Sequence, residues 1–421
     1  MADDLIELRI EKPVAGGRML ARHDGRIVLV AGAVPGERVR ARIERRIKQT
    51  VFASVTDVLE ASPHRREPFC DSRCGGLAYA HVALAHQPAL KAAILVDAFR
   101  RIAGATIAPP LVSPSPEEGY RLRARLHVQG GRAGFFLEGS HSLCDAASTR
   151  QLRKGVVATV DTLLASLGPA RHLCDAVAIS ENVEASECVC HLELEDGARL
   201  GHLDVDLPPG VTGMTTQVGS RVHVVSGQPT ITERASSLFR HGSPVDPATQ
   251  WTRSAAAFFQ GNRFLTGDLV ALVIEQAQGP RVVDAYAGVG LFAVALAARG
   301  SAVTAIEGDV VSGEDLRQNA LAATSGFEVI QSPVEAALPG IAIGSVDTLV
   351  LDPPRTGMSP DALAAVLRLV APRLVYVSCD PATLARDAKA LLAAGYRLTS
   401  LTGFDLFPNT AHVESVATFD R

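Results

Sequence analysis

Leu374-Val375-Tyr376-Val377-Ser378-Cys379-Asp380-Pro381-Ala382-Thr383-Leu384-Ala385-Arg386-Asp387 reads as a strand that stops at a cysteine and turns into a helix. The apolar, β-branched run gives the strand, Asp380 stands as helix N-cap, and Pro381 takes the first helical position. The thiol of Cys379 is thereby set beside a helix N-terminus. The partial positive charge there favours thiolate, the form that attacks carbon, and the Asp380 carboxylate offsets part of that effect. The same position also suits a small hydrophobe closing a strand, so Cys379 reads either as a nucleophile or as a core side chain.

Upstream of this stretch, from Trp251 on, strands alternate with Ala-rich helices. That is the pattern of a doubly wound parallel α/β sheet of the Rossmann-like kind, with strands expected at Arg281 to Ala285, Ala302 to Glu307, Phe327 to Ile330, Thr348 to Leu351 and Leu374 to Ser378. Ligands of such sheets bind beyond the carboxyl ends of the strands. The first strand ends in Asp284-Ala285-Tyr286-Ala287-Gly288-Val289-Gly290, and Glu307 closes the second. Gly288 and Gly290 let backbone approach a ligand, and Glu307 suits a ribose hydroxyl. Ala293 stands where a dinucleotide fingerprint has its third glycine, which favours S-adenosylmethionine over a pyrophosphate cofactor. A tight turn beside a solvated Glu is the plainer alternative. The fourth strand ends in Asp352-Pro353-Pro354-Arg355, a stiff loop that presents Asp352 at the mouth of the sheet or merely stops a strand.

The first sixty residues carry short alternating runs, Ile6 to Ile10, Arg26 to Val30, Val39 to Ile43 and Val51 to Val58, split by glycines. They predict a small OB-like β-barrel. Arg38, Arg40 and Arg42 share one strand face, followed by Arg45, Arg46 and Lys48, a row that can hold phosphates or guard a sheet edge. This segment resembles the TRAM domain, a small RNA-binding barrel, most clearly at Gly32-Ala33-Val34-Pro35-Gly36-Glu37. A helix is expected from about His86 to Ile102. Residues from about Leu111 to Val225 are β-rich, with Arg121, Arg123, Arg125 and His127 alternating along one strand. Three units follow: a barrel over 1–61, a central β-rich domain with a linking helical segment over 62–250, and a doubly wound α/β domain over 251–421.

A chain of 421 residues with 47% hydrophobic and 20% charged composition can bury a sizeable core, and its net charge of −4 gives no global case for nucleic-acid binding. The acidic start, Met1-Ala2-Asp3-Asp4, lacks the basic region of a signal peptide, and no apolar run reaches membrane length. A cytoplasmic protein is expected. Seven scattered cysteines argue against a disulfide framework. Cys70 and Cys74, near Gly75-Gly76, show no spacing that completes a metal or iron–sulfur set with Cys144, Cys174, Cys188 or Cys190, and read as free core cysteines.

Taken together, Phe258-Phe259-Gln260-Gly261-Asn262, Asp284 to Phe292, Ile306-Glu307, Asn319-Ala320, Asp352 to Arg355, Ser378 to Asp387 and His412-Val413-Glu414-Ser415 resemble the RNA 5-methyluridine methyltransferase family. With the barrel and Tyr120-Arg121-Leu122-Arg123, the resemblance spans nearly the whole chain. It implies methyl transfer from S-adenosylmethionine to carbon 5 of a uridine in ribosomal or transfer RNA, on a looped or flipped base. It makes Cys379 the nucleophile, Glu414 the general base, and Gln260, Tyr286, Gly288, Glu307 and Asp352 cofactor contacts, with Asp352 also close to the target base. Members often hold a [4Fe–4S] cluster; here the first cysteine gap is short, Leu77 stands at the third ligand position and Thr149 at the fourth, so no cluster and no other metal is expected. Pro333 falls near a polar cofactor-contact position, and Asp380 replaces the usual Asn, a change expected to raise the Cys379 pKa. Two other readings remain: a cytosine enzyme, which usually adds a Cys after the fourth-strand Pro, and an RNA-binding or folding factor without activity.

Overall fold

Alternating apolar side chains in the first sixty residues have an inside to fill, and they close a barrel around it. The computed structural model describes residues 5–198, 206–218, 221–240, 242–323 and 326–421. Strands β1 (Leu5–Pro13), β2 (Met19–His23), β3 (Arg26–Ala31), β4 (Arg38–Ile47) and β5 (Thr50–Glu60) pair in the closed order β1-β2-β3-β5-β4. Leu8, Ile10, Val28, Val30, Val39 and Ala41 point inward with the period of two that a barrel requires. β2 was not among the expected strands. It is five residues long and follows a Gly16-Gly17 turn in which both glycines have positive φ, leaving too short a run to show alternation. Glu37 is buried at the barrel mouth and accepts from Val34 N–H (2.8 Å), Ser62 N–H (3.2 Å) and the Arg65 guanidinium (2.6 and 2.7 Å). On the arginine row, Arg38 pairs with Glu7 and Glu60, Arg40 with Glu7 and Asp57, and Arg45 lies 4.5 Å over the Phe52 ring.

Helix α1 (Gln87–Ala98) has Pro88 in its first turn and runs through a π turn to Gly104 at φ +68°. It belongs to two cores at once. Leu90 packs with the barrel interior, while Ala92, Leu95 and the following Phe99 pack with the C-terminal sheet.

After β6 (Val112–Ser113), the central region builds a seven-stranded sheet from β7 (Arg123–Gln129), β8 (Arg132–Phe136), β9 (Leu143–Cys144), β10 (Cys174–Glu181), β11 (Cys188–Leu194), β12 (Gly213–Val218) and β13 (Arg221–Gly227). Their order is β13-β12-β11-β10-β7-β8-β9. The helix Val156–Ser166 joins its apolar core, with Val160, Leu163 and Leu164 among Leu126, Val177 and Ile179. Here one expectation fails: Cys74, read as a free core cysteine, is disulfide-bonded to Cys144, 70 residues away. β9 carries Cys144 back beside the Cys74 loop, which itself bridges to Leu137 just beyond β8, a juxtaposition that spacing alone cannot reveal.

A ribbon of β14 (Thr230–Arg234) and β15 (Gln250–Ser254) leads into the C-terminal sheet. Its strands are β16 (Arg281–Ala285), β17 (Ala302–Glu307), β18 (Glu328–Gln331), β19 (Thr348–Leu351), β20 (Arg373–Ser378), β21 (Arg397–Phe404) and β22 (Glu414–Asp420), joined by β6 in the order β18-β17-β16-β19-β20-β22-β21-β6. β16 to β20 are parallel, as the buried apolar runs predicted, and β22 is antiparallel between β20 and β21. Among the described residues no helix is long and apolar enough to cross a membrane.

Candidate active site

The register of β20 and β22 pairs Ser378 with Ser415. Cys379, leaving one strand, and Glu414, opening the other, therefore emerge side by side at the carboxyl edge of the parallel sheet. Ser415 Oγ donates to the Ser378 carbonyl at 3.2 Å and fixes this junction. Both side chains line a cleft of about 840 Å³ that also gathers Gln260, Tyr286, Gly288, Glu307, Asp352 and Arg355. Every site residue expected from the sequence lies on this one cleft.

Asp380 caps its helix as predicted, accepting from Ala382 N–H and Thr383 N–H at 2.9 Å each. The thiol of Cys379 is pushed up to about 11 by burial first and then by the Glu414 carboxylate; the Arg355 guanidinium works against that, and Asp352 adds to it. The acids that act on the sulfur, Glu414 and Asp352, thus lie far from it in sequence, and the adjacent Asp380 is not among them. Burial and the neighbouring Asp352 hold Glu414 well above the usual carboxylate range, with Arg355 opposing. Asp352, at the end of β19, is pushed up to about 7 by burial and by Glu307. Crowded, buried acids hold protons that they would give up in water.

The other end of the cleft is built on the turn after β16. Tyr286, Gly288 and Gly290 all have positive φ. A Cβ on Gly288 would meet nothing within 4 Å, because that position faces open space; one on Gly290 would lie 2.8 Å from Leu316 Cδ1, so a glycine is needed for the helix to pack. Glu307 spans the turn, one oxygen accepting from Gly288 N–H at 2.7 Å and the other from Asp309 N–H at 2.6 Å. Beneath it Asp284 is fully buried, and burial together with Asp352 pushes its proton affinity well up, with the Ala293 N–H opposing. Carboxyl groups around a glycine turn, without cations on that turn, suit a ribose and a sulfonium better than a pyrophosphate. Pro333, opposite, contributes an apolar wall in place of a polar contact.

Sequence reasoning missed several wall residues. Arg121 and Arg123, read as part of a basic strand face, turn into the cleft with Phe258 and Phe407. The guanidinium of Arg123 lies 5.8 Å over the Phe258 ring, and burial beside Arg253 and Arg121 pushes it down to about 9. The alternation Arg121-Arg123-Arg125 is unbroken and gave no signal of this; only in the fold does Leu122 enter the C-terminal core while Ala124 and Leu126 enter the central one.

A family model described as tRNA (uracil-5-)-methyltransferase matches residues 335–421, and the TRAM domain model matches residues 5–56. A 23S rRNA (uracil(1939)-C(5))-methyltransferase RlmD of Pseudomonas putida is 33% identical over 98% of this chain and 93% of its own length. The chain belongs to the RNA (uracil-C5)-methyltransferase family. An uncharacterized RNA methyltransferase of Thermotoga maritima is 31% identical over 98% of both chains. The crystal structure of Pyrococcus abyssi tRNA (uracil-54, C5)-methyltransferase, solved with S-adenosyl-L-homocysteine, shares the fold with a TM-score of 0.74, covering 98% of this chain and 99% of that one at 24% identity. As an RNA (uracil-C5)-methyltransferase this is an S-adenosylmethionine-dependent enzyme with a TRAM barrel at its N-terminal end. The iron–sulfur cluster carried by many members does not fit the residues present. Cys74 is bonded to Cys144, Leu77 is a buried hydrocarbon side chain, and the Thr149 hydroxyl is engaged with the Ala146 carbonyl. Among the described residues no group of three or more His, Cys, Asp or Glu could hold a metal ion.

Proposed function

We propose that the protein methylates carbon 5 of a uridine in ribosomal RNA through a transient bond between Cys379 and carbon 6 of the base. The observation that carries this reading is the adjacency of Cys379 and Glu414 in a cleft whose far end is the Gly288–Glu307 turn. Uracil carbon 5 is a poor nucleophile until a thiolate adds at carbon 6 and turns the ring into an enolate. Arg355 stabilises the Cys379 thiolate, and Asp352, carrying its proton, donates to the developing charge on the base oxygen. S-adenosylmethionine supplies the methyl group as a sulfonium electrophile. Gln260, Tyr286, Gly288, Glu307 and Asp352 line its side of the cleft, with Glu307 suited to ribose hydroxyls. Glu414, whose burial beside Asp352 makes it hold a proton tightly, acts as the base only in its carboxylate form: it takes the proton from carbon 5, the pair of electrons re-forms the ring double bond, and the Cys379 sulfur leaves.

Ribosomal RNA is favoured over transfer RNA because the RlmD-named relatives are 33% identical to this chain, whereas the tRNA (uracil-54, C5)-methyltransferase of Pyrococcus abyssi is 24% identical over a similar span. Pro354-Arg355 after Pro353 offers no second thiol, which speaks against cytosine. Labelled S-adenosylmethionine incubated with separate ribosomal and transfer RNA fractions, followed by nucleoside analysis, is expected to give 5-methyluridine from the ribosomal fraction. Labelled 5-methylcytidine, or unchanged activity of Cys379→Ala, would overturn the reading.

A further inference from the structure

Phe407 forms part of the cleft wall, yet the segment that carries it, Asp405 to His412, is neither strand nor helix. What holds it comes from the other half of the chain. Lys91 of α1, fully buried, forms an ion pair with the buried Asp405 and donates to the Phe407 carbonyl at 3.1 Å. Four residues earlier on the same helix, Gln87 accepts from Asn409 N–H at 2.7 Å and donates to Asn409 Oδ1 at 2.8 Å. The ring of Phe407 is fixed edge-on to Tyr120 and His412, and a Cβ on Gly261 would come within 3.3 Å of it, so its position is set closely.

We propose that Lys91 is a positioning residue for the target base: by pinning Asp405 and the Phe407 backbone it fixes the Phe407 ring as the face against which the pyrimidine rests when Cys379 attacks. A buried lysine is costly to desolvate unless paired, and the second oxygen of Asp405 has no hydrogen-bond partner, so this pair is a poor device for stability alone. Its geometric consequence is specific, since the Lys91 ammonium bridges the side chain of residue 405 and the carbonyl of residue 407. An aromatic face there serves a flipped base, which loses its stacking neighbours on leaving the RNA.

This inference rests on the thiolate-addition reading, and the test separates the two. With S-adenosylmethionine present, RNA substituted with 5-fluorouridine traps the Cys379 adduct, because after methyl transfer carbon 5 carries fluorine and has no proton to lose. Adduct formation is timed for the full-length wild type, Lys91→Met, Phe407→Ala and the double variant, and S-adenosylhomocysteine affinity is measured for each by calorimetry. Lys91→Met is expected to slow trapping about tenfold with cofactor affinity within twofold, and to slow it less than twofold in the Phe407→Ala background. If Lys91→Met does not fold, Lys91→Met/Asp405→Asn, which removes both charges together, replaces it in the same cycle. Equal slowing in both backgrounds, or wild-type trapping by the Lys91 variant, overturns the positioning role. Failure of the wild type to trap at all would instead overturn the mechanism on which it rests.

Discussion

Cys379 and Glu414 stand on neighbouring antiparallel strands, each next to one member of the Ser378–Ser415 pair, so a two-strand register alone brings a thiol and a carboxyl to one point. The arrangement predicts separable roles. Cys379→Ala should abolish both methylation and adduct formation. Glu414→Gln should still attack and accept the methyl group, but release should slow by about 10²–10⁴-fold, leaving an RNA-linked protein visible as a shifted band in denaturing gels.

Arg355 opposes the burial that pushes Cys379 up to about 11. Thiolate supply therefore rises with pH across the neutral range, and adduct formation should increase from pH 6 to pH 9. Removing the guanidinium raises the thiol further, so Arg355→Gln should move the rising limb to higher pH and lower the rate at pH 7.5 by about tenfold or more. Trapping rates over that pH range check both statements.

Glu307 accepts from two backbone N–H groups across the glycine turn. Glu307→Ala should loosen that turn by about 1.5–3 kcal/mol, the worth of hydrogen bonds to a charged group, lowering the thermal midpoint of the free protein and weakening S-adenosylhomocysteine binding along with it. Calorimetry and a melting curve check both effects.

Glu37 lies below the ordinary carboxylate range although burial raises it, because Arg65 and the N–H groups of Val34 and Ser62 outweigh the desolvation. A depressed folded pKa gives stability that is present above the unfolded value of about 4.3 and is lost as pH falls through the lower folded value. Glu37→Gln should cost about 1–3 kcal/mol at pH 7, and the difference from wild type should shrink below pH 4 in denaturant titrations followed at the barrel.

The bond between Cys74 and Cys144 closes a loop with a sequence separation of 70. On loop entropy alone its reduction would cost about 4 kcal/mol, an upper figure. Cys144→Ser should lower the melting temperature, and dithiothreitol should lower that of the wild type but not of the variant.

Much of the catalytic half was legible because parallel strands buried on both faces read as apolar runs ending at candidate site residues: Ala285 before the glycine turn, Glu307, Leu351 before Asp352, and Ser378 before Cys379. Glu414 was legible only through family resemblance, since an acid at the start of a terminal strand carries no local signal. Asp284 went unread as a buried acid because its burial depends on packing from both sheet faces. The Cys74–Cys144 bond and the Lys91–Asp405 pair join residues 70 and 314 positions apart, and periodicity has no access to such distances. A lysine in an amphipathic helix reads as solvated; here the sheet closes over it.

Because α1 contributes to two interiors, the catalytic half is not a detachable module. A truncation beginning after residue 104 would strip Leu95 and Phe99 from one flank of the sheet and leave Asp405 as an unmatched negative charge in an apolar setting. The TRAM barrel and the methyltransferase sheet are joined here at the level of a shared helix, and a minimal enzyme cut from this protein has to keep that helix.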